Sequence, residues 1–304
     1  MLRVIDLFCG CGGLSLGFQR SGFHLVRAFD NWDKAVNIYN KNFVDHKAEL
    51  QDVYNLTFEY LMAFKPDVII GGPPCQDYSS AGQQNESKGR ANLTLRYAEL
   101  VCGVETRWFV MENVERIRKS QTLPKAIKMF RDNGYALTQI VLDASKCGTP
   151  QKRKRFFLIG ELGGKDCFLE KELLSDQREE SMTVREYLGN ELQTEFYYRH
   201  PRSYARRGIF SIDEPSPTVR GVNRPIPSTY KPHPGDATHD VLKVRPLTTF
   251  ERARIQTFPR NFVFEGSKTD LEQIIGNAVP VELAAYVGRH LINYINNKYK
   301  LHDT

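Results

Sequence analysis

Among the residues able to do chemistry, Cys75 comes first, on the turn Gly71-Gly72-Pro73-Pro74-Cys75-Gln76. The turn follows the β-branched apolar run Asp67-Val68-Ile69-Ile70, which reads as a buried strand with the cysteine just past its carboxyl end. That end of a parallel strand is where α/β enzymes hold their ligands. Two prolines restrict the backbone before Cys75, a stiffness that suits a nucleophilic thiol. A lone cysteine is more often a small buried hydrophobe, so Cys75 gains weight only from its company. A second stretch, Cys9-Gly10-Cys11-Gly12-Gly13, separates a strand candidate, Leu2 to Phe8, from an amphipathic helix opened by Leu14, Leu16 and Phe18. Strand, glycine loop and helix form a nucleotide-handling unit, because glycines allow close backbone approach and a helix start offers unpaired N–H groups. The next strand, His24 to Phe29, ends in Asp30-Asn31-Trp32-Asp33. These residues stand about twenty beyond the glycines, where such folds put a polar group on ribose hydroxyls. Asp30 or Asp33 would serve equally as the N-cap of a helix over Lys34 to Asn42.

The elements that must position these residues alternate. Helical patterns over Leu93 to Val101 and Leu123 to Asn133 interleave with strands at Trp108 to Met111, Leu137 to Leu142 and Phe156 to Gly160. That repetition predicts a mainly parallel sheet covered by helices on both faces. The polar stretch Gly82 to Asn92, directly after the cysteine segment, reads as a lid or an ordinary surface loop. The character changes near Gly163: from there to about Leu242 prolines and basic residues replace helical periodicity, which predicts an irregular second domain of loops and short strands. Arginines there interleave with Tyr197, Tyr198, Tyr204, Phe210 and Tyr230, a mixture fit for phosphates and base stacking, or else a solvated basic face. Val281 to Tyr299 closes the chain as an amphipathic helix led by a proline.

Composition narrows the classes further. At 304 residues and 41% hydrophobic content the chain is globular, with enough apolar residues for a sizeable core. Six cysteines without a framework of close pairs predict reduced thiols and a cytoplasmic protein, and no uninterrupted apolar run reaches membrane-spanning length. Cys9 and Cys11 lack a second cysteine or histidine pair at ligand spacing, so no metal is expected. The net charge of +6 is concentrated: from Arg199 to Arg260 there are twelve Lys/Arg against five Asp/Glu, where an anionic partner could be held.

Taken together, the segments resemble the cytosine-5 DNA methyltransferase family over essentially the whole chain. Asp6-Leu7-Phe8-Cys9-Gly10-Cys11-Gly12-Gly13-Leu14 is similar to its S-adenosyl-L-methionine loop, and Gly72-Pro73-Pro74-Cys75-Gln76 to its catalytic segment. Met111-Glu112-Asn113-Val114 and Gln151-Lys152-Arg153-Lys154-Arg155 match the partner segment and the Gln-x-Arg-x-Arg element. Arg245-Pro246-Leu247-Thr248 through Gln256-Thr257-Phe258-Pro259, then Ile275-Gly276-Asn277-Ala278-Val279-Pro280, match the closing pair in the family's order. The resemblance implies a Rossmann-like S-adenosylmethionine-dependent methyltransferase fold, α/β with a mainly parallel sheet, plus a small β-rich target-recognition domain. It implies residues 1–164 and 270–304 as the catalytic and cofactor domain and 165–269 as the recognition domain with its hinge. Cys75 would be the nucleophile on C6 of a flipped-out cytosine. Glu112 would act at N3, Arg155 at O2, and Arg153 in loop or phosphate positioning. For Glu112 to donate at N3 it must be protonated, which desolvation in a closed site would favour.

For the cofactor, converted to S-adenosyl-L-homocysteine, the resemblance implies Phe8, Gly10, Gly13, Leu14, Trp32, Asp52, Val53, Pro74, Leu93, Asn277 and Ala278. The family usually sets a glutamate on the ribose. Here Asn31 precedes Trp32, with Asp30 before it, and both are candidates. A second departure replaces the family's Arg-Gly pair with Arg90-Ala91-Asn92-Leu93, implying a stiffer lid hinge. Double-stranded DNA would be met by Gln76, Ser79, Gln151, Thr218, Arg220 and Arg224. The chain is expected to act as a monomer in a prokaryotic cytoplasm, beside a cognate restriction endonuclease. The transfer-RNA branch of the family carries a Cys-Phe-Thr signature, whereas Cys167-Phe168 here is followed by leucine. A silent DNA-binding relic would have no reason to keep the cysteine, glutamate and arginine together.

Overall fold

The computed structural model describes residues 1–74, 93–203 and 205–300. Cys75, Gln76, Ser79, the lid expected over Gly82 to Asn92 and Tyr204 lie outside the described residues. Along the chain run β1 (Arg3–Leu7), α1 (Gly13–Arg20), β2 (His24–Asp30), α2 (Asp33–Asn42), β3 (Ala48–Leu50), α3 (Phe58–Met62), β4 (Val68–Gly71) and α4 (Leu93–Val104). Then come β5 (Trp108–Val114), α5 (Thr122–Asp132), β6 (Tyr135–Asp143), β7 (Gln151–Lys152), β8 (Lys154–Leu162) and α6 (Glu170–Ser175). The remainder is α7 (Val184–Leu188), β9 (Phe196–Tyr198), β10 (Ile209–Ser211), β11 (Ser216–Pro217), β12 (Arg245–Pro246), α8 (Thr249–Ile255), α9 (Lys268–Asn277) and α10 (Val281–Lys300). No helix among the described residues is long and apolar enough to cross a membrane.

The chain divides into two compact units. Unit 1 comprises 1–142, 154–177 and 284–304; unit 2 comprises 143–153 and 178–283. The expected boundaries at 164/165 and 269/270 therefore differ on three counts: Asp143–Arg153 joins unit 2, Arg178 opens its main segment, and it extends to Leu283. Unit 1 is built on a sheet in the order β3-β2-β1-β4-β5-β8-β6. The pairs β3–β2, β2–β1, β1–β4 and β4–β5 are parallel and β5–β8 is antiparallel. β4 is buried along its whole length, which explains its uninterrupted Val-Ile-Ile run. Its core packs Ile5, Leu7, Ile69, Phe109, Met111, Phe130 and Leu158 together, with the Phe109 and Phe130 rings stacked at 4.1 Å. A Cβ on Gly160 would strike the Phe109 ring at 2.0 Å, so only glycine fits there.

Unit 2 has little regular structure of its own: among its described residues β10-β9-β12 form one small sheet and β11 pairs with β7. Short strands leave many backbone groups without ladder partners, and side chains must satisfy them. The helices α6 and α7 interrupt the stretch expected to be loops and short strands, and the first of them belongs to unit 1.

Candidate active site

Four parallel strands of unit 1 bring the expected cofactor residues to one edge. Phe8, Gly10, Gly13 and Leu14 follow β1; Asp30, Asn31 and Trp32 end β2; Asp52 and Val53 follow β3; Pro74 follows β4. Phe8 holds a left-handed backbone at φ 67, rare for an aromatic residue and found where the surroundings fix a turn. Gly10 has φ +55, and nothing lies within 4 Å of where its Cβ would be, so the loop is open above it. That opening fits the close approach of a cofactor's amino-acid portion, beside the N-terminus of α1. Asp30 takes the Gly10 N–H at 2.8 Å on one oxygen and the Trp32 N–H at 2.9 Å on the other. Its carboxylate therefore braces the loop, while the neighbouring Asn31 is exposed. Leu14 and Val53 are buried and contribute packing. Asp52 accepts the Tyr54 N–H at 3.0 Å, and Leu93 opens α4.

Beneath this edge runs a buried polar chain that sequence reasoning missed. Asp6 accepts a 2.5 Å hydrogen bond from Ser15, whose oxygen lies 3.0 Å from the Tyr39 hydroxyl, itself 2.8 Å from His46 Nε2. Burial pushes the Asp6 carboxyl up to about 8, with Asp30 adding to the rise, and burial holds His46 down to about 4. No periodicity signals such a chain, since its members come from β1, α1, α2 and the loop after α2.

The expected catalytic pair meets on neighbouring strands. Antiparallel register sets Val114 opposite Arg155 and Glu112 opposite Phe157, which leaves Glu112 and Arg155 diagonal to each other. Arg155 Nε lies 2.8 Å from Glu112 Oε1, and both side chains are nearly buried. Burial lowers the Arg155 pKa, and the adjacent Glu112 carboxylate offsets part of that loss. A Cβ on Gly72 would stand 3.2 Å from Glu112 Oε2, so this carboxylate faces the segment that leads into Cys75. Asn113 fixes the same segment by donating to the Pro73 carbonyl at 2.8 Å. Its place in the partner segment was legible, but its role was not.

In unit 2 the remaining expectations are partly corrected. Gln151 and Arg153 are fully buried. Gln151 accepts the Val219 N–H at 2.9 Å and donates to Gln256 Oε1 at 2.7 Å, so both ends of its amide are engaged inside the unit and not turned to DNA. Arg153 donates to the carbonyls of Val219 at 3.0 Å, Gly276 at 3.1 Å and Ala278 at 3.0 Å, which makes it a brace and not a group facing the reaction. Gln256, a residue given no role by sequence, completes the hub through Ile275 at 2.6 Å and Ala278 at 3.0 Å. Asn277 ends α9 exposed beside Ala278. Thr218 donates to the Lys152 carbonyl at 2.8 Å, Arg220 is half-buried and Arg224 exposed. Tyr197, Tyr198 and Phe210 are buried on β9 and β10, so they build the core of unit 2 and are closed to base stacking. Among the described residues no group of three or more His, Cys, Asp or Glu could hold a metal ion.

Comparison with known proteins now bears on this geometry. The sequence profile of a family described as C-5 cytosine-specific DNA methylase matches residues 2–293. The chain is 55% identical over 300 residues to Type II methyltransferase M.HindV of Haemophilus influenzae, covering 96% of this chain and 97% of that one. It is 52% identical over 297 residues to Type II methyltransferase M.HgiDI of Herpetosiphon aurantiacus, covering 97% and 96%. The S. pombe Dnmt2 methyltransferase crystal structure aligns at TM-score 0.72 with 19% identity, covering 97% of this chain and 99% of that one. At that identity the likeness speaks for the fold alone, a Rossmann-like methyltransferase sheet.

Proposed function

The chain belongs to the C-5 cytosine-specific DNA methylase family and is a DNA (cytosine-5-)-methyltransferase of the type II restriction-modification kind, and from that premise we propose that it methylates a flipped-out cytosine through a covalent Cys75–C6 bond. C5 of cytosine is a poor nucleophile, and a thiolate adding to C6 drives electron density onto it. A free thiol titrates near 8.5, so Cys75 must be activated by its surroundings or during attack. Addition develops charge toward N3 and O2. Glu112 would donate at N3 and Arg155 at O2, where preformed donors stabilise charge as it appears. The observation that carries this reading is the 2.8 Å Glu112–Arg155 pair, with the other Glu112 carboxylate oxygen beside Gly72, just before Cys75 in the chain. Arrival of the base would draw Arg155 onto O2 and leave Glu112 to take the proton it donates at N3.

S-adenosyl-L-methionine supplies the electrophilic methyl group and leaves as S-adenosyl-L-homocysteine. Phe8, Gly10 and Gly13 would hold its amino-acid portion, Asn31 the ribose, and Trp32, Asp52, Val53, Pro74 and Leu93 the adenine side, with Leu14 packing beneath. Asn31 is favoured for the ribose because both oxygens of Asp30 already serve backbone N–H groups. After transfer a base removes the C5 proton and Cys75 departs by elimination. Extracting the base from the duplex costs a few kcal/mol, which phosphate contacts from the basic unit 2 would offset. One chain suffices, since each strand of a palindromic site is methylated separately. The type II relatives support pairing with a cognate endonuclease in a prokaryotic cytoplasm.

The test is incubation with methyl-labelled S-adenosyl-L-methionine and either mixed-sequence duplex DNA or total transfer RNA, with bisulfite mapping of 5-methylcytosine. Label is expected in one short DNA motif, and is lost in Cys75→Ala while cofactor binding persists. Label confined to RNA, or retained by the variant, would overturn the reading.

A further inference from the structure

Unit 2 neutralises most of its arginines internally. Arg185 pairs with Glu195 and Asp213, Arg207 with Glu214, Arg245 with Glu251, Arg252 with Glu272, and both Arg254 and Arg260 with Glu191. Others break the pattern: among the described residues Arg199, Arg202, Arg206, Arg220 and Arg224 have no carboxylate partner. Two of these grip each other's segments. Arg199 donates to the Thr218 carbonyl at 3.0 Å, and Arg220 donates back to the His200 carbonyl. The exchange holds residues 199–200 alongside 218–220 and orients two half-buried guanidinium groups. Arg252, from α8, donates to the Arg220 carbonyl and so fixes the second segment from behind, while Glu272 consumes its charge. Arg220 Nε is buried with no hydrogen-bond partner.

Taking DNA as the substrate, as above, we infer that this reciprocal arginine clasp, with exposed Arg202 and Arg224 at its rim, is a phosphate-binding site for the DNA backbone that positions the duplex and does not read its bases. Chemistry favours a phosphodiester over a base edge. A guanidinium committed to a backbone carbonyl keeps N–H donors for one more acceptor, and a tetrahedral anion accepts from several donors at once. No carboxylate among the described residues pairs with these guanidiniums. Burial and the guanidiniums of Arg220 and Arg202 push Arg199 down to about 10, and His200 is lowered by burial and by Arg224, Arg220 and Arg199. A phosphate relieves that repulsion, whereas a neutral base does not.

The experiment measures equilibrium binding of the full chain to a target duplex and to an unrelated duplex across a salt series. Each phosphate contact contributes about 0.9 to the slope of log K against log salt, worth about a 3.5-fold change in affinity between about 50 and 200 mM. Arg199→Gln and Arg220→Gln are each expected to lower the slope by about one and to weaken both duplexes equally, leaving the methylated motif unchanged. Because these two also tie backbone segments together, Arg202→Gln and Arg224→Gln serve as variants that spare the fold and should reduce the slope in the same way. Arg178→Gln, removed from an ion pair with Glu186, should leave it unaltered. Folded Arg202 and Arg224 variants with the wild-type slope would overturn the clasp, as would a selective loss on the target duplex, which marks base reading. Absence of salt-dependent DNA binding by the wild-type protein would instead defeat the DNA reading itself.

Discussion

Units 1 and 2 hold their polar residues by opposite means. In unit 1, Glu112 and Arg155 stand on strands whose ladder would place them whether or not they touched. In unit 2 the strands are two or three residues long, and position comes from side chains reaching backbone carbonyls: Arg153 to three of them, Arg199, Arg220 and Arg252 to one each. Losing a side chain from the first arrangement subtracts chemistry from an intact frame. Losing one from the second subtracts the frame.

The contrast can be tested at descending magnitudes. Cys75→Ala should lower methyl transfer by more than about 10³-fold, with an unchanged unfolding midpoint in urea. Arg252→Ala strands the buried Glu272 carboxylate and should cost about 3–5 kcal/mol of stability. An Arg252 variant as stable as wild type would erase the distinction. Glu112→Gln retains an acceptor for Arg155 and should leave the midpoint within about 1 kcal/mol, while kcat/KM falls by about 10²–10³. Steady-state kinetics and urea unfolding on one preparation separate the two effects. The smallest effect concerns pH. With its carboxyl pushed up to about 8, Asp6 keeps a proton in the folded chain that the unfolded chain loses near 4. His46, held at about 4 against an ordinary 6.5, acts in the opposite sense. The two slopes oppose each other from about 4 to 6.5. Above 6.5 Asp6 acts alone, so stability should fall by up to about 2 kcal/mol between pH 6.5 and 8. Thermal melts of Asp6→Asn should lack that fall, and a flat wild-type profile over the window would reject the assignment.

What was legible in the sequence follows the same division. Strands of unit 1 were readable because β-branched runs end at glycines and prolines. The strand expected over Trp108 to Met111 nevertheless continues to Val114, since Glu112 and Asn113 are polar yet buried and interrupt the apolar signal. Glu112 and Arg155 were reached through the family resemblance, and no pattern of spacing indicated that they pair. Gln151 and Arg153 misled because a polar residue reads as exposed until its partners are known, and these lie on Val219, Gly276 and Ala278, far along the chain. Tyr197, Tyr198 and Phe210 misled in the reverse direction: an aromatic residue among arginines suggests stacking, but Tyr197 packs on Phe210 and Tyr198 against Ile209 and Val244, so all three rings are buried. The target sequence was illegible because groove contacts depend on loop conformation more than on residue type.

The central claim is the covalent step from Cys75. It is tested most directly by incubating the protein and S-adenosyl-L-methionine with a target duplex whose cytosine carries fluorine at C5, then mapping any linked peptide by mass spectrometry. Fluorine cannot leave as the C5 proton does, so elimination is blocked. A methylated DNA adduct on the peptide containing Cys75 is the predicted result. Methyl transfer to the ordinary duplex with no adduct on the fluorinated one, or an adduct on another residue, would contradict it.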